Sequence, residues 1–296
     1  MKTGADISHH QERFDAARYK DSGEDFVILK ASDWPRGRPF TDPTFRTRWR
    51  DAGRHRLPRA AYHFGHPASS MADQADHFID VVRDAGWRAG DAWALDMERA
   101  ERQRPAQIVD WSSKWVARVR AALGGVGLFY SGVGFIVNEL GGPGRVPGGA
   151  LSWVARYNRR IKHPWVSFRR PAGWPQTPAV WQRTDGSAGL TKSVASVGTC
   201  DHNHMTEAAF ARLFATDDLT TDELLAALES PRGQRILRDA TTKAVGPEVI
   251  GVLRTAFAGH APTVDSGTVR ASQAWLFDTF AEINAKVDDP ARHARR

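Results

Sequence analysis

Two carboxylates two residues apart, Asp96 and Glu98, close the apolar run Ala92-Trp93-Ala94-Leu95. A short apolar run of this kind reads as a buried β-strand. Side chains two apart on a strand point the same way, so both acids project together from its end. Burial and mutual repulsion raise one carboxyl's pKa and leave its neighbour ionised, which sets a proton donor beside an anion at neutral pH. Cleavage of a glycosidic bond requires that pairing. Taken alone, the motif describes equally well a solvated strand end making ordinary salt bridges.

The rest of the chain supplies elements that would position such a pair. Further strand patterns run over residues 4–11, 26–32, 60–65, 126–130, 152–157 and 179–183, with a last short piece ending at Asp201. Helical spacing lies between the early ones. Asp42-Pro43 opens a helix carrying Phe45 and Trp49. Residues 69–85 place Ala72, Ala75, Phe78, Ile79 and Val82 on one face, and residues 105–123 do the same with Ile108, Trp111, Trp115, Val116 and Val119. Pro105 suits a first helical turn. Strands alternating with helices predict parallel pairing and an α/β fold, with weaker helices between the later strands. The fold expected is a modified (β/α) barrel whose helices are incomplete in its second half, followed by a small all-α C-terminal region. Asp6, Asp33, Tyr62, Asp96, Glu98, Tyr130, Tyr157, Gln182 and Asp201 all fall at expected C-terminal strand ends. In such barrels those ends form the active-site face.

Eight motifs occur in order: Gly4-x-Asp6-x-Ser8-x-x-Gln11, Lys30-Ala31-Ser32-Asp33, Asp42-Pro43-x-Phe45, Tyr62-His63-Phe64, Leu95-Asp96-x-Glu98, Trp153-Val154-Ala155-Arg156-Tyr157, Trp181-Gln182 and Gly198-x-x-Asp201-x-Asn203. Together they resemble the lysozyme-type muramidases of glycoside hydrolase family 25, over about residues 4 to 214. The resemblance implies cleavage of the β-1,4 bond between N-acetylmuramic acid and N-acetylglucosamine in bacterial peptidoglycan. By motif, Glu98 matches the family's proton donor and Asp96 its partner on the same strand. Asp6 and Asp201 match two further acids lining the site, and Tyr62 an aromatic hydroxyl beside them. Departures from the family pattern are Ser32-Asp33-Trp34 in place of Thr-Glu-Gly, Arg183 after Gln182, and Cys200 before Asp201. They leave all four acids present and bear on subsite preference instead.

The chemistry of the acids points the same way. Glu98 is expected to be protonated beside an ionised Asp96. For an N-acetylated sugar, the substrate's own 2-acetamido group can attack the anomeric carbon while Asp96 or Asp201 steers its N–H. An inverting attack by water is the competing route. Ten of the eleven tryptophans lie at or before Trp181. Most are expected to be core residues. Trp34 and Trp153, near strand ends, are the candidates for a sugar-binding groove, together with Tyr62, Asp33, Tyr130, Tyr157 and Gln182.

Charge and composition bound the partners. The net charge of +7 is uneven: residues 1–214 hold 31 basic and 22 acidic side chains, and residues 215–296 hold 10 and 12. A positive surface would concentrate the protein at anionic bacterial walls, although 33 Arg against 8 Lys also fits a GC-rich genome. No basic helix or recognised motif supports nucleic-acid binding. His9-His10 and Cys200-Asp201-His202-Asn203-His204 lack metal-site spacing, so neither metal nor cofactor is expected. The single cysteine, Cys200, excludes an internal disulfide and reads as a small buried residue. No stretch reaches membrane-spanning length. Met1-Lys2-Thr3 runs into the first strand without an apolar leader, so cytoplasmic synthesis is expected, with release onto the wall as in phage-driven lysis. The composition shifts at residues 215–218, dividing a barrel at 1–214 from a region at 215–296. There Thr220-x-x-Glu223 has a capping-box pattern, and amphipathic stretches run on to residue 287. Those helices would serve wall targeting, pairing with a second copy, or support of the barrel. The alternative to an active enzyme is a glycan-binding or structural barrel within a phage particle.

Overall fold

The computed structural model describes residues 1–157, 163–186 and 193–214. The C-terminal helices expected from residues 220–287 lie outside the described residues. In chain order the elements are β1 (Lys2–Ile7), α1 (Ala16–Asp21), β2 (Phe26–Asp33), β3 (Phe40–Thr41), α2 (Phe45–Arg54), β4 (Arg59–Phe64), α3 (Met71–Ala85), β5 (Ala92–Asp96), α4 (Pro105–Leu123), β6 (Leu128–Gly132), β7 (Leu151–Ala155), β8 (Val180–Thr184), β9 (Ser193–Val194), β10 (Gly198–Thr199), β11 (Asp201–Met205) and α5 (Glu207–Leu213).

Eight strands close into a barrel in the order β1-β2-β4-β5-β6-β7-β8-β11, and β11 returns to pair with β1. Seven run parallel. β11 is antiparallel to both of its neighbours, β8 and β1. The expected barrel is borne out, including its uneven helical jacket. α1 to α4 follow the early strands, whereas β6 is followed by a single wide turn at Phe135–Glu139. Among the described residues, none between β7 and β8 is helical.

Local sequence explains the better helices. In α3, Ser70 accepts the N–H of Asp73 at the start, and Gly86 takes a left-handed conformation (φ 94°) at the end. In α4, the Gln107 Oε1 accepts the Arg104 backbone N–H at 3.0 Å, capping the start of the helix at Pro105. These helices bury Phe78, Ile79, Val82, Ile108, Trp111, Trp115 and Val119 against the outer faces of the strands. A second apolar layer fills the barrel: Phe26, Ile28, Leu128, Trp153, Val180 and Met205, with Ala60, Ala92 and Ala94 leaving room for the larger rings. α5 lies at the end of the barrel away from the acids, where Phe210 and Phe214 pack on Phe26 with ring centroids 6.4 and 6.1 Å away. Among the described residues, no helix is long and apolar enough to cross a membrane.

Candidate active site

The polar ends of the strands converge on one rim of the barrel. β5 delivers Asp96 as its last residue, and Glu98 follows two residues beyond the strand. The backbone there is held from both sides: Gly65 donates to the Asp96 carbonyl at 2.8 Å, and the Met97 N–H donates to the Tyr130 carbonyl at 3.0 Å. Gly65 leaves room for this approach, since a Cβ there would stand 2.8 Å from the Met97 methyl and 3.3 Å from the Asp96 carbonyl oxygen, and the Met97 side chain would have to shift. Asp96 is buried at 6 % exposure, whereas Glu98 opens to solvent above it. The two carboxyls lie within hydrogen-bonding reach.

That arrangement pushes both carboxyls of the pair upward. Burial, reinforced by the nearby Glu98 charge, drives the Asp96 carboxyl far above the usual carboxylate range. Burial raises Glu98 as well, but the hydrogen bond from Asp96 holds it down. Both carboxyls are thus raised, and the pair holds a proton between the enclosed Asp96 and the more open Glu98. The Asp96 Oδ1 atom is buried with no hydrogen-bond partner in the structure.

A second acid pair faces the first. Asp6 on β1 is directly opposite Asp201 on β11 in the sheet register. Sequence reading takes Asp201 as the end of a strand; it is instead the first residue of β11. Because β11 runs antiparallel, its start shares the rim with the ends of the other strands. Asp6 accepts the Gln182 Nε2 at 2.8 Å and the Asn203 Nδ2 at 2.7 Å through one oxygen. Both amides have their orientation dictated from behind. The Trp153 indole N–H, which can only donate, gives its proton to the Asn203 Oδ1 at 2.8 Å. The Tyr130 and Tyr157 hydroxyls donate to the Gln182 Oε1 at 2.8 and 2.6 Å. Burial pushes Asp6 upward, but these donors oppose it. Asp201, by contrast, is driven up to about 9 by burial and by the charge of Asp6. Both acids of the second pair are therefore raised, and the two amide donors favour the charged form of Asp6.

Tyr62 on β4 stands within the fields of Asp96, Asp6 and Asp201, and burial keeps it a neutral phenol. Tyr157 is exposed at the lip, with 37 % of its surface open. Trp153 does not line a groove. It occupies the middle of β7 at 2 % exposure, inside the barrel, with its ring 4.5 Å from Tyr130. Asp33 and Trp34 sit to one side of the acids. Asp33 is held by Lys30 Nζ at 2.6 Å and the His66 ring at 2.8 Å, and Trp34 meets His77 edge-on at 5.9 Å. Asn203 went without a role in the sequence reading. Its signal is the same two-residue alternation that pairs Asp96 with Glu98, since Asn203 shares a face with Asp201. Cys200 is buried, as expected. Among the described residues, no group of three or more His, Cys, Asp or Glu side chains is set to hold a metal ion.

Comparison with known proteins agrees with this geometry. The model of the family glycosyl hydrolases family 25 matches residues 5–188. The uncharacterized protein YegX of Escherichia coli K12 is 30 % identical over 189 residues, covering 62 % of this chain and 62 % of YegX. The chain thus spans a little under two thirds of that relative's length. An N,O-diacetylmuramidase from Chalaropsis sp. is 29 % identical over 201 residues, covering 62 % of this chain and 89 % of the relative. Among solved structures, a bacterial lysozyme from Streptomyces coelicolor superposes with a TM-score of 0.61 at 24 % identity, covering 72 % of this chain and 96 % of the lysozyme. With its closed barrel, its rim of four acids and a family match over well over half its length, the chain belongs to glycosyl hydrolases family 25.

Proposed function

We propose that this protein hydrolyses peptidoglycan, cutting the β-1,4 bond between N-acetylmuramic acid and N-acetylglucosamine, with Glu98 as general acid and Asp96 as its partner. The observation that carries this reading is an open Glu98 beside a buried Asp96, two raised carboxyls on the same rim as Asp6, whose carboxylate is held by the Gln182 and Asn203 amides. The unpartnered Asp96 Oδ1 is suited to accept the N–H of a substrate 2-acetamido group. Accepting that N–H favours the Asp96 anion and moves the shared proton to Glu98, where it faces the leaving oxygen. The acetamido oxygen then attacks the anomeric carbon, and water opens the resulting ring with net retention. Tyr62 and the Asp6–Asp201 pair bound the pocket in which this happens.

The positive balance of residues 1–214 supports action at anionic walls. We assign residues 1–214 to the catalytic barrel and residues 215–296 to a separate helical region that targets the wall, pairs two copies or supports the barrel. The setting we propose is phage-driven host lysis: cells making the protein internally stay intact until a membrane pore opens, then clear.

The test is clearing of purified cell walls by the wild type and by Glu98→Gln. An amide cannot deliver a proton, so the variant should fold normally and lose about 10²–10⁴-fold in rate. New reducing ends should appear on N-acetylmuramic acid in the wild-type digest. Near wild-type clearing by the variant, or free amino termini in place of reducing sugars, would overturn the assignment. Wall binding without any new reducing ends would favour the glycan-binding alternative.

A further inference from the structure

The turn that follows Glu98 is strained and tied down from outside the acid cluster. Glu101 and Arg102 both adopt left-handed backbone conformations, with φ of 47° and 64°. Consecutive non-glycine residues avoid that region, and they persist there only when their surroundings hold them. The hold on Glu101 is visible. One carboxylate oxygen meets the His66 Nδ1 at 2.6 Å, and the other accepts the Ala68 N–H at 3.2 Å. His66 in turn reaches Asp33, at the end of β2, through Nε2 at 2.8 Å. Both ring nitrogens therefore face carboxylate oxygens, and an imidazole can donate from both only as the imidazolium.

His66 itself is immobilised. Buried Gln74 on α3 accepts the His66 N–H at 2.9 Å and donates to its carbonyl at 2.9 Å. The His66 side chain is 8 % exposed. Phe64 lies against it with ring centroids 5.4 Å apart, and that ring also carries the Lys30 ammonium at 5.0 Å and the Arg99 guanidinium at 5.3 Å. The charged and titratable groups around His66 are thus Lys30 and Asp33 on β2, His63 on β4, His77 on α3, and Arg99 and Glu101 on the turn.

We propose that His66 is a positioning residue, an imidazolium latch joining the strained turn after Glu98 to the end of β2 and so fixing where the Glu98 carboxyl points. The proposal rests on Glu98 being the proton donor, but the latch itself can be read without any activity. Burial opposes the charge on His66, and the carboxylates of Asp33 and Glu101 outweigh it, raising its pKa above the ordinary histidine value. The latch is accordingly closed below that raised value and opens as pH rises through it.

Two readouts test it on the full chain, for the wild type, His66→Gln and Glu101→Gln, each first checked for native far-UV dichroism. Amide hydrogen exchange over residues 97–104, corrected for intrinsic pH dependence, should be about tenfold faster in both variants at pH 6. The wild type should converge on the variants as pH rises, while His66→Gln shows no such transition. On soluble glycan fragments, kcat should fall by about tenfold or more, with KM within about threefold, since a small misplacement of the acid affects the chemical step. Exchange in both variants equal to the wild type, or an exchange difference with no alkaline convergence, overturns the latch. A loosened turn with unchanged kcat overturns the positioning role. A wild type that cleaves no glycan instead removes the functional reading, and the exchange measurement still decides the latch.

Discussion

Replacing Trp153 by Phe separates what the indole ring fills from what its N–H holds. The ring is buried inside the barrel, and its N–H is bonded to the Asn203 Oδ1. Phenylalanine removes roughly 40 Å³ of side chain, worth about 1–2 kcal/mol once the transfer loss is added to ~24 cal/mol per Å³ of cavity. It also orphans the Asn203 Oδ1, which is buried and has no alternative donor of the indole's kind; an unsatisfied buried acceptor costs about 1–3 kcal/mol. The amide cannot recover by flipping, because its oxygen would then face the Asp6 anion. The combined loss of about 2–5 kcal/mol corresponds to a fall in Tm of roughly 5–15 °C, at ~2–4 °C per kcal/mol for a domain of this size. Thermal unfolding followed by far-UV dichroism measures it. The Trp153→Phe/Asn203→Leu double variant should lose less than the sum of its parts, by about 1 kcal/mol, because the shared hydrogen bond is removed only once. A Tm within 2 °C of wild type, or strict additivity in the cycle, would refute the claim that the indole sets the orientation of Asn203.

Three further outcomes follow from the same geometry. Arg59→Met should lower Tm by roughly 6–20 °C, because it strands Asp91 without the bidentate partner now at 2.7 and 2.8 Å, both side chains being under 5 % exposed. Arg59→Met/Asp91→Leu should recover most of that loss in the same melt. Asp201 has its pKa raised from an ordinary carboxylate value to about 9, so it holds its proton more tightly folded than unfolded, and stability drains away between roughly pH 4 and pH 9. The Tm advantage of Asp201→Asn over wild type should therefore grow from pH 5 to pH 9; a flat difference would contradict the buried proton. A protein ending at residue 214 should fold and still release reducing sugars from soluble glycan, since α5 already covers the far end of the barrel through Phe210 and Phe214. Insolubility or inactivity of that fragment would break the division at residue 215.

Much of this site was legible because strand alternation is a strict rule. Asp96, the preceding apolar run and the helix at Pro105–Leu123 all stand where periodicity put them. The four acids meet because each lies at or just beyond the rim end of a barrel strand. Two matters escaped the pattern. The direction of β11 is a property of pairing, fixed by the register of Asp6 against Asp201, and a five-residue strand reads the same in either direction. The different depths of the two acids are the second: Asp96 and Glu98 are chemically alike in sequence, and only the fold buries one and opens the other. Trp153 was misplaced for a related reason. It is the centre of β7 rather than its end, which the length of that strand decides. The His66, Asp33 and Glu101 contacts join the end of β2 to two separate loops, and no local periodicity links them.

The reversed closing strand has a consequence for the order in which the molecule is made. Asp6 is synthesised almost first, and its partner Asp201, with the Asn203 that helps keep it charged, nearly two hundred residues later. β1 and β2 can pair early, but the barrel stays open until β11 inserts between β8 and β1. Closing so long a loop is entropically the slowest kind of contact to form. An elongating chain on the ribosome therefore carries Glu98 and Asp96 long before it carries a complete acid rim. The wall-cutting chemistry proposed here is withheld until the last strand is in place, so truncated products of translation are born without it.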